Sequence, residues 1–143
     1  MASTTSGEIL TTLKARIEAL TPAVKASPDD RYQVVVGLRA AFAGNRQVLL
    51  TAQPGRRIQG GRTCSDWETV VLVECWYLDH PDAYVNACND SEQICNESYD
   101  WVASTEGETL GLLRAEPDLA NIVGSDGELQ VSRSVRFVYR GLS

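Results

Sequence analysis

The chain of 143 residues has one histidine, His80, and between Arg62 and Arg114 it has no lysine or arginine at all. The first scarcity limits catalysis. A Cys–His nucleophile pair would have to use His80, and nothing near it in sequence supports that role. Its position before Pro81, between a predicted strand and a predicted helix, suits a cap instead. No G-x-S-x-G elbow, P-loop or G-x-G-x-x-G run is present, so no catalytic residue is assigned. No apolar run approaches the ~20 residues of a membrane-spanning helix, and no membrane partner is expected. The opening Met-Ala-Ser-Thr-Thr-Ser-Gly lacks the basic and apolar regions of a secretory signal, so the protein is expected to stay where it is made. Cys64, Cys75, Cys88 and Cys95, spaced by 11, 13 and 7, lack the paired C-x2–4-C ligands of a structural zinc site. They read as reduced thiols, three of them core residues and Cys64 exposed in a polar loop. Asp126-Gly127 has no D-x-D-x-D spacing around it and is a turn, not a calcium loop. Neither a metal nor a cofactor is expected.

Acids occupy the stretch that bases avoid. Eleven of the nineteen lie there: Asp66, Glu68, Glu74, Asp79, Asp82, Asp90, Glu92, Glu97, Asp100, Glu106 and Glu108. Residues 1–62 carry nine bases against four acids, and the chain from Arg114 onward carries four against four. The formal net charge of −6 therefore conceals blocks of opposite sign. Such asymmetry is an argument about what the surface meets, and one patch of each sign favours head-to-tail docking of copies. An acidic protein with solvated faces is the plainer alternative.

The 43% hydrophobic and 22% charged composition is that of one folded domain over 1–143, with 1–6 expected to be flexible. Ile9, Leu10, Leu13, Ile17 and Leu20 share a face, which predicts an amphipathic helix over 7–20 capped by Ser6. Tyr32–Val36 is β-branched and could be a strand, but 28–43 as a whole stays unassigned. Gln47–Ala52 predicts a short strand and Trp67–Leu78 a long central one, apolar on both sides and so expected to be covered on both faces. Pro81 and Asp82 predict the start of a helix, with the proline at its first position. Projected at 100° per residue, Tyr84, Ala87, Cys88, Ile94, Cys95, Tyr99, Trp101 and Val102 face inward. Asn86, Asn89, Asp90, Gln93, Asn96, Glu97 and Asp100 then face out. Asn89-Asp90-Ser91 and Asn96-Glu97-Ser98 match the N-glycosylation pattern but lie on this helix in a chain with no export signal, and are discounted. Pro117-Asp118 predicts a short helical turn, and 124–127 a turn. Residues 129–140 predict a closing strand, with Leu129, Val131, Val135, Phe137 and Tyr139 on one side and Val138 as the exception.

Two surfaces are candidates for contact. One is the Gly/Arg-rich stretch 53–66, read as a long loop, in which Arg56, Arg57 and Arg62 could pair with carboxylate or phosphate. It would order on an acidic neighbour, touch nucleic-acid backbone, or simply be solvated; overall acidity counts against nucleic acid. The other is the acidic helix face, where Asp79, Asp90, Glu97 and Asp100 are the candidate interface or lumen residues.

The order of elements resembles that of the tail terminator (tail-completion) proteins of long-tailed bacteriophages over residues 7–140. Trp67-Glu68-Thr69-Val70-Val71-Leu72-Val73-Glu74-Cys75-Trp76-Tyr77 looks like their central strand, followed by an acidic helix, and Leu129–Arg140 like their closing strand. The resemblance implies an α+β fold: a small mixed, mainly antiparallel sheet of about four strands with helices packed against it. It also implies a homo-oligomeric ring, commonly of six subunits, that caps the tail tube protein, stops tube growth and meets the head-tail connector or stopper protein. Genomic DNA would pass through the hole without sequence-specific binding, and acids lining the hole would repel it over the ~8–10 Å that salt permits. The place of action is then the virion tail or neck, after assembly in the host cytoplasm. Other neck proteins, a stopper or an adaptor, are near neighbours. Two readings of other classes stay open: an acidic binding module or inhibitor with a basic partner, and an enzyme using the acidic cluster.

Overall fold

The computed structural model describes residues 4–25, 28, 30–60, 64–78, 81–125 and 127–142, with the side chains of 59, 60, 64, 125 and 142 left aside. Helix α1 runs Ser6–Glu18 and is capped by Thr5, whose hydroxyl accepts the Glu8 N–H, rather than by the expected Ser6. Ile9, Leu13 and Ile17, spaced one helical turn apart, are wholly buried. The Thr4 N–H donates to the Arg140 carbonyl at 2.8 Å, which ties Thr4 to the sheet; residues 1–3 of the stretch expected to be flexible lie outside the described residues.

Strand β1 (Gln33–Val36) lies parallel to β2 (Arg46–Ala52), which resolves part of the unassigned 28–43 segment. Strand β3 (Arg56–Gly60) continues in the direction of β2, and both run antiparallel to β4 (Cys64–Leu78) along the same edge. The stretch 53–66, expected to be a loop, is therefore a break at 53–55, strand β3 and, from Cys64, the start of β4, with 61–63 outside the described residues. Pro54 has no N–H to give a ladder, and at Gly55 the chain passes so close to Tyr139 that a Cβ would sit 2.0 Å from its hydroxyl oxygen. Gln53 keeps the broken ribbon in register, its N–H donating to the Val70 carbonyl and its carbonyl accepting from the Thr69 hydroxyl.

Helix α2 spans Ala83–Ala103, with Asp82 as N-cap and no acid in its first turn, so Pro81 stands outside it and not at its first position. Helix α3 (Thr105–Leu110) follows at once. A Cβ on Gly107 would lie 2.1 Å from the Trp101 carbonyl oxygen, so only glycine lets the two helices fold this closely. Strands β5 (Leu112–Pro117) and β6 (Asn121–Ser125) replace the predicted helical turn at Pro117. Both run antiparallel to β7 (Glu128–Leu142), forming a second ribbon broken at 118–120, where the Asp118 N–H donates to the Ser134 carbonyl.

The two ribbons join because β4 and β7 pair along their whole lengths, from Leu78 with Glu128 to Cys64 with Leu142. The fold is α+β and the sheet is mostly antiparallel, as expected, but it has seven strands and not about four. Two interrupted ribbons and the extra parallel strand account for the difference. Val71, Val73, Cys75 and Tyr77 of β4 and Val131, Val135, Phe137 and Tyr139 of β7 face the helices and form the core. The edge of the Trp101 ring meets the face of the sheet at Phe137, with centroids 5.5 Å apart. The opposite face of β4, with Val70, Leu72, Glu74 and Trp76, is half-exposed, so the helices cover one face and not both. Residues 39–42 shield only its end, where the Arg39 guanidinium stacks 4.0 Å above the Trp76 ring.

Replacing Gly107 with alanine forces this methyl group against backbone and should cost about 1–3 kcal/mol. A urea midpoint equal to that of the wild type would show that the α2–α3 corner can relax.

Candidate functional site

Helix α2 is turned relative to its sequence projection. Asn86 and Asp90, expected to face out, are buried, whereas Tyr84 and Tyr99, expected to face in, are more than half exposed. The cause lies on β2. Arg46 opens that strand on the helix-facing side and is 1% exposed, so α2 must bring an anion to it. The Arg46 Nη1 donates to both Asp90 carboxylate oxygens at 2.8 and 2.7 Å. Its Nη2 donates to Asp30 Oδ2 and to the Val24 carbonyl, each at 2.8 Å. The hydroxyls of Tyr32 and Tyr77 donate to Asp90 at 2.8 and 2.7 Å. Burial works against the Arg46 charge, but Asp90 and Asp30 outweigh it and hold its pKa above the ordinary value. Burial first pushes both tyrosines well above the ordinary phenol range, followed by Asp90 for Tyr32 and by Cys75 and then Asp90 for Tyr77. Burial likewise lifts the Cys75 thiol to about 12, so this cysteine is inert. The centre holds three ionic side chains, but they are sealed from solvent and committed to one another. It is an internal tie, and Asp90 is not an interface or lumen residue.

The half-exposed face of the sheet carries a row of alternating charge. Glu68 on β4 accepts from Arg56 on β3 and from Arg136 on β7. Arg136 also donates to Glu116 on β5 at 2.9 Å, and Glu116 accepts from Arg114 at 3.1 Å. Hydrogen bonds from Arg56, then Arg136, hold the Glu68 carboxyl below the usual carboxylate range. Arg56 is 75% exposed, so solvent screens much of this pairing. Three arginines meet two acids in the row, and Arg140 is exposed beside it. Of the three candidate arginines, Arg56 is thus part of the row, whereas Arg57, opposite Trp67, is exposed on the other side of the sheet. Arg62 lies outside the described residues.

Acids dominate the helical side. Glu92, Asp100 and Glu108 are exposed and make no ion pair with the described residues. Glu97 is taken up by Arg16 of α1 at 2.7 Å; the same guanidinium reaches Glu106 at 3.0 Å and lies 5.9 Å from the Trp101 ring centre. Of the candidate acids, Asp100 is free on the surface, Glu97 is half-buried in a local pair, and Asp79 lies outside the described residues, as does His80. Sequence projection missed Glu92 as a member of this face because α2 is turned, and Glu108 because it lies on α3, where no helix was predicted.

Among the described residues no group of three or more His, Cys, Asp or Glu could hold a metal ion, and no helix is long and apolar enough to cross a membrane. Cys75, Cys88 and Cys95 are free, with Cys75 buried and the other two half-buried. The exposure expected of the Cys64 thiol falls on a side chain that is not described. Compared with known proteins, the chain matches no family model and no curated sequence.

Replacing Arg46 with methionine leaves two carboxylates buried without their counter-charge and should cost about 3–5 kcal/mol, with Asp90→Leu costing a similar amount. The double variant should lose clearly less than the sum of the two in urea unfolding, and strict additivity would contradict the tie. Because the folded pKa of Glu68 is lowered, its contribution is complete above the ordinary carboxylate range and disappears as pH falls through that lowered value. Glu68→Gln should therefore lower stability in the neutral region and flatten the acid limb of a stability–pH profile, with variant and wild type converging at low pH.

Proposed function

We propose that the protein is a structural component of a long-tailed phage virion, a tail terminator. Its copies close into a ring on the end of the tail tube, halt tube polymerisation and join the tube to the head connector, with DNA passing through the hole. One observation carries this reading: the two sides of the sheet bear different charged surfaces. The row Arg56–Glu68–Arg136–Glu116–Arg114, with one arginine in excess, faces away from the helices, and Glu92, Asp100 and Glu108 lie on the helical side without an ion pair among the described residues. A subunit with complementary, non-identical surfaces makes heterologous contacts, and such contacts generate rings when the rotation closes. The order of elements adds support, with a long central strand, an acid-rich helix and a closing strand that completes the sheet. Another neck role, stopper or adaptor, would use the same two-sided subunit.

A second reading rests on Glu92, Asp100 and Glu108, which have no cation of their own. An acidic module would present them to a basic partner and would stay monomeric.

Native mass spectrometry and negative-stain images of the purified protein, with and without tail tubes, separate the two. Annular particles, free or at tube ends, are expected. Monomers that never gather at tube ends would overturn the ring. Replacing Arg56, Arg57 and Arg62 together by serine should weaken ring formation or tube binding by about tenfold or more while the circular dichroism spectrum is kept; unchanged assembly would remove these arginines from the contact.

A further inference from the structure

The two most exposed large hydrophobic residues of the described chain lie at opposite edges of the sheet. Leu119, 89% exposed, sits in the break between β5 and β6, and Leu38, 83% exposed, directly follows β1. These strands are the outer members of the sheet on its two sides. Beside Leu38, α1 and β1 enclose an open groove of about 720 Å³ lined by Leu10, Val34, Val36, Leu38, Thr11 and Lys14. That volume lies within the range of ligand clefts, but such clefts add convergent polar groups to an apolar wall. Here there is one ammonium, one hydroxyl and an apolar strip along an unpaired strand edge, which suits a protein segment better than a small molecule.

The break at 118–120 has the matching shape and charge. The Asp118 N–H is anchored to the Ser134 carbonyl at 2.8 Å, and the Asp118 carboxylate accepts the Leu119 N–H at 2.8 Å. Leu119 is therefore held out as a fixed apolar knob with an exposed carboxylate beside it. The groove offers an apolar bed with Lys14 at its side, whose present partner, Glu18, is a half-exposed i,i+4 pair at 3.4 Å and weakly held.

We infer that the groove between α1 and β1 receives the Leu119 knob of a second copy of this chain, with Asp118 of that copy meeting Lys14. Knob and groove are different surfaces on opposite edges, so the contact is head-to-tail and adds copies in one rotational sense. It specifies which surfaces meet in the proposed ring and rests on that reading for closure, but not for self-association.

The test mixes Leu38→Cys with Leu119→Cys protein under mild oxidation and follows native mass. A disulfide-linked dimer is expected in the mixture and in neither variant alone beyond the wild-type background. Leu119→Glu should lower the fraction of oligomer at least tenfold, and adding Leu38→Lys should restore most of it, with folding of each variant checked by circular dichroism. Oligomers without the cross-link, and without an effect of Leu119→Glu, would overturn the contact while leaving the ring. A cross-link that yields only open ladders, never annuli, would keep the contact and overturn the ring. Loss of tube binding in Leu38→Lys with self-association intact would assign the groove to the tube protein and overturn the proposal.

Discussion

The buried pairing of Arg46 with Asp90 decides how the helical layer sits on the sheet. A guanidinium enclosed on the helix-facing side of β2 must have an anion, and α2 can supply one only by turning Asp90 inward. That turn places Ala83, Ala87, Ser91 and Ser98, all small, against the sheet and lets α2 approach closely. It sends Tyr84 and Tyr99 outward and sets which acids reach solvent. The same guanidinium, through Asp30 and the Val24 carbonyl, fastens the connection between α1 and β1. A buried ion pair of this kind adds little net stability over an apolar equivalent, but it distinguishes one helix rotation from its neighbours. The acidic surface of α2 is therefore downstream of one internal contact.

The sheet keeps its two faces chemically distinct. Apolar residues at alternate positions of β4 and β7 meet the helices, and the intervening positions carry the arginine–carboxylate row. Each exposed pair in the row is weak singly, but the row runs across four strands and fixes where positive charge stands. On the helical side Arg16 is committed to Glu97 and Glu106, Arg46 is buried on Asp90, and Arg133 is turned to Ser91 and Cys95, so Glu92, Asp100 and Glu108 keep no ion pair among the described residues.

Much of this was legible in the sequence because it is local. The i, i+4 spacing of Ile9, Leu13 and Ile17 marked α1, and the β-branched run 70–73 marked β4. The alternation in 129–139 marked β7, including the Val138 exception, which is buried on the face away from the helices. What stayed hidden depends on contacts distant in sequence. The rotation of α2 is dictated by Arg46, more than forty positions before Asp90, and periodicity alone counts an aspartate as outward and a tyrosine as inward. Strand β3 has two arginines and no alternation of its own; it is a strand because β4 gives it a partner from Ser65 to Glu68. Pro117 looked like a helix start, but it ends an edge strand, a place where a missing N–H costs nothing. Uneven charge was visible as blocks along the chain, but the row from Arg56 to Arg114 joins residues from all three blocks and appears only when β3, β4, β7 and β5 lie side by side.

The full-length pairing of β4 with β7 bears on how the subunit comes into being. β4 is synthesised well before its neighbour, and the two helices and two edge strands between them must wait for it. Until β7 emerges, the second ribbon has no inner strand, the Phe137 side of the core is missing, and Thr4 has no carbonyl to bind. Nascent or shortened chains ending before residue 128 thus cannot present the β5–β6 edge in its finished form. Topology alone withholds that edge from incomplete copies, without a separate proofreading step.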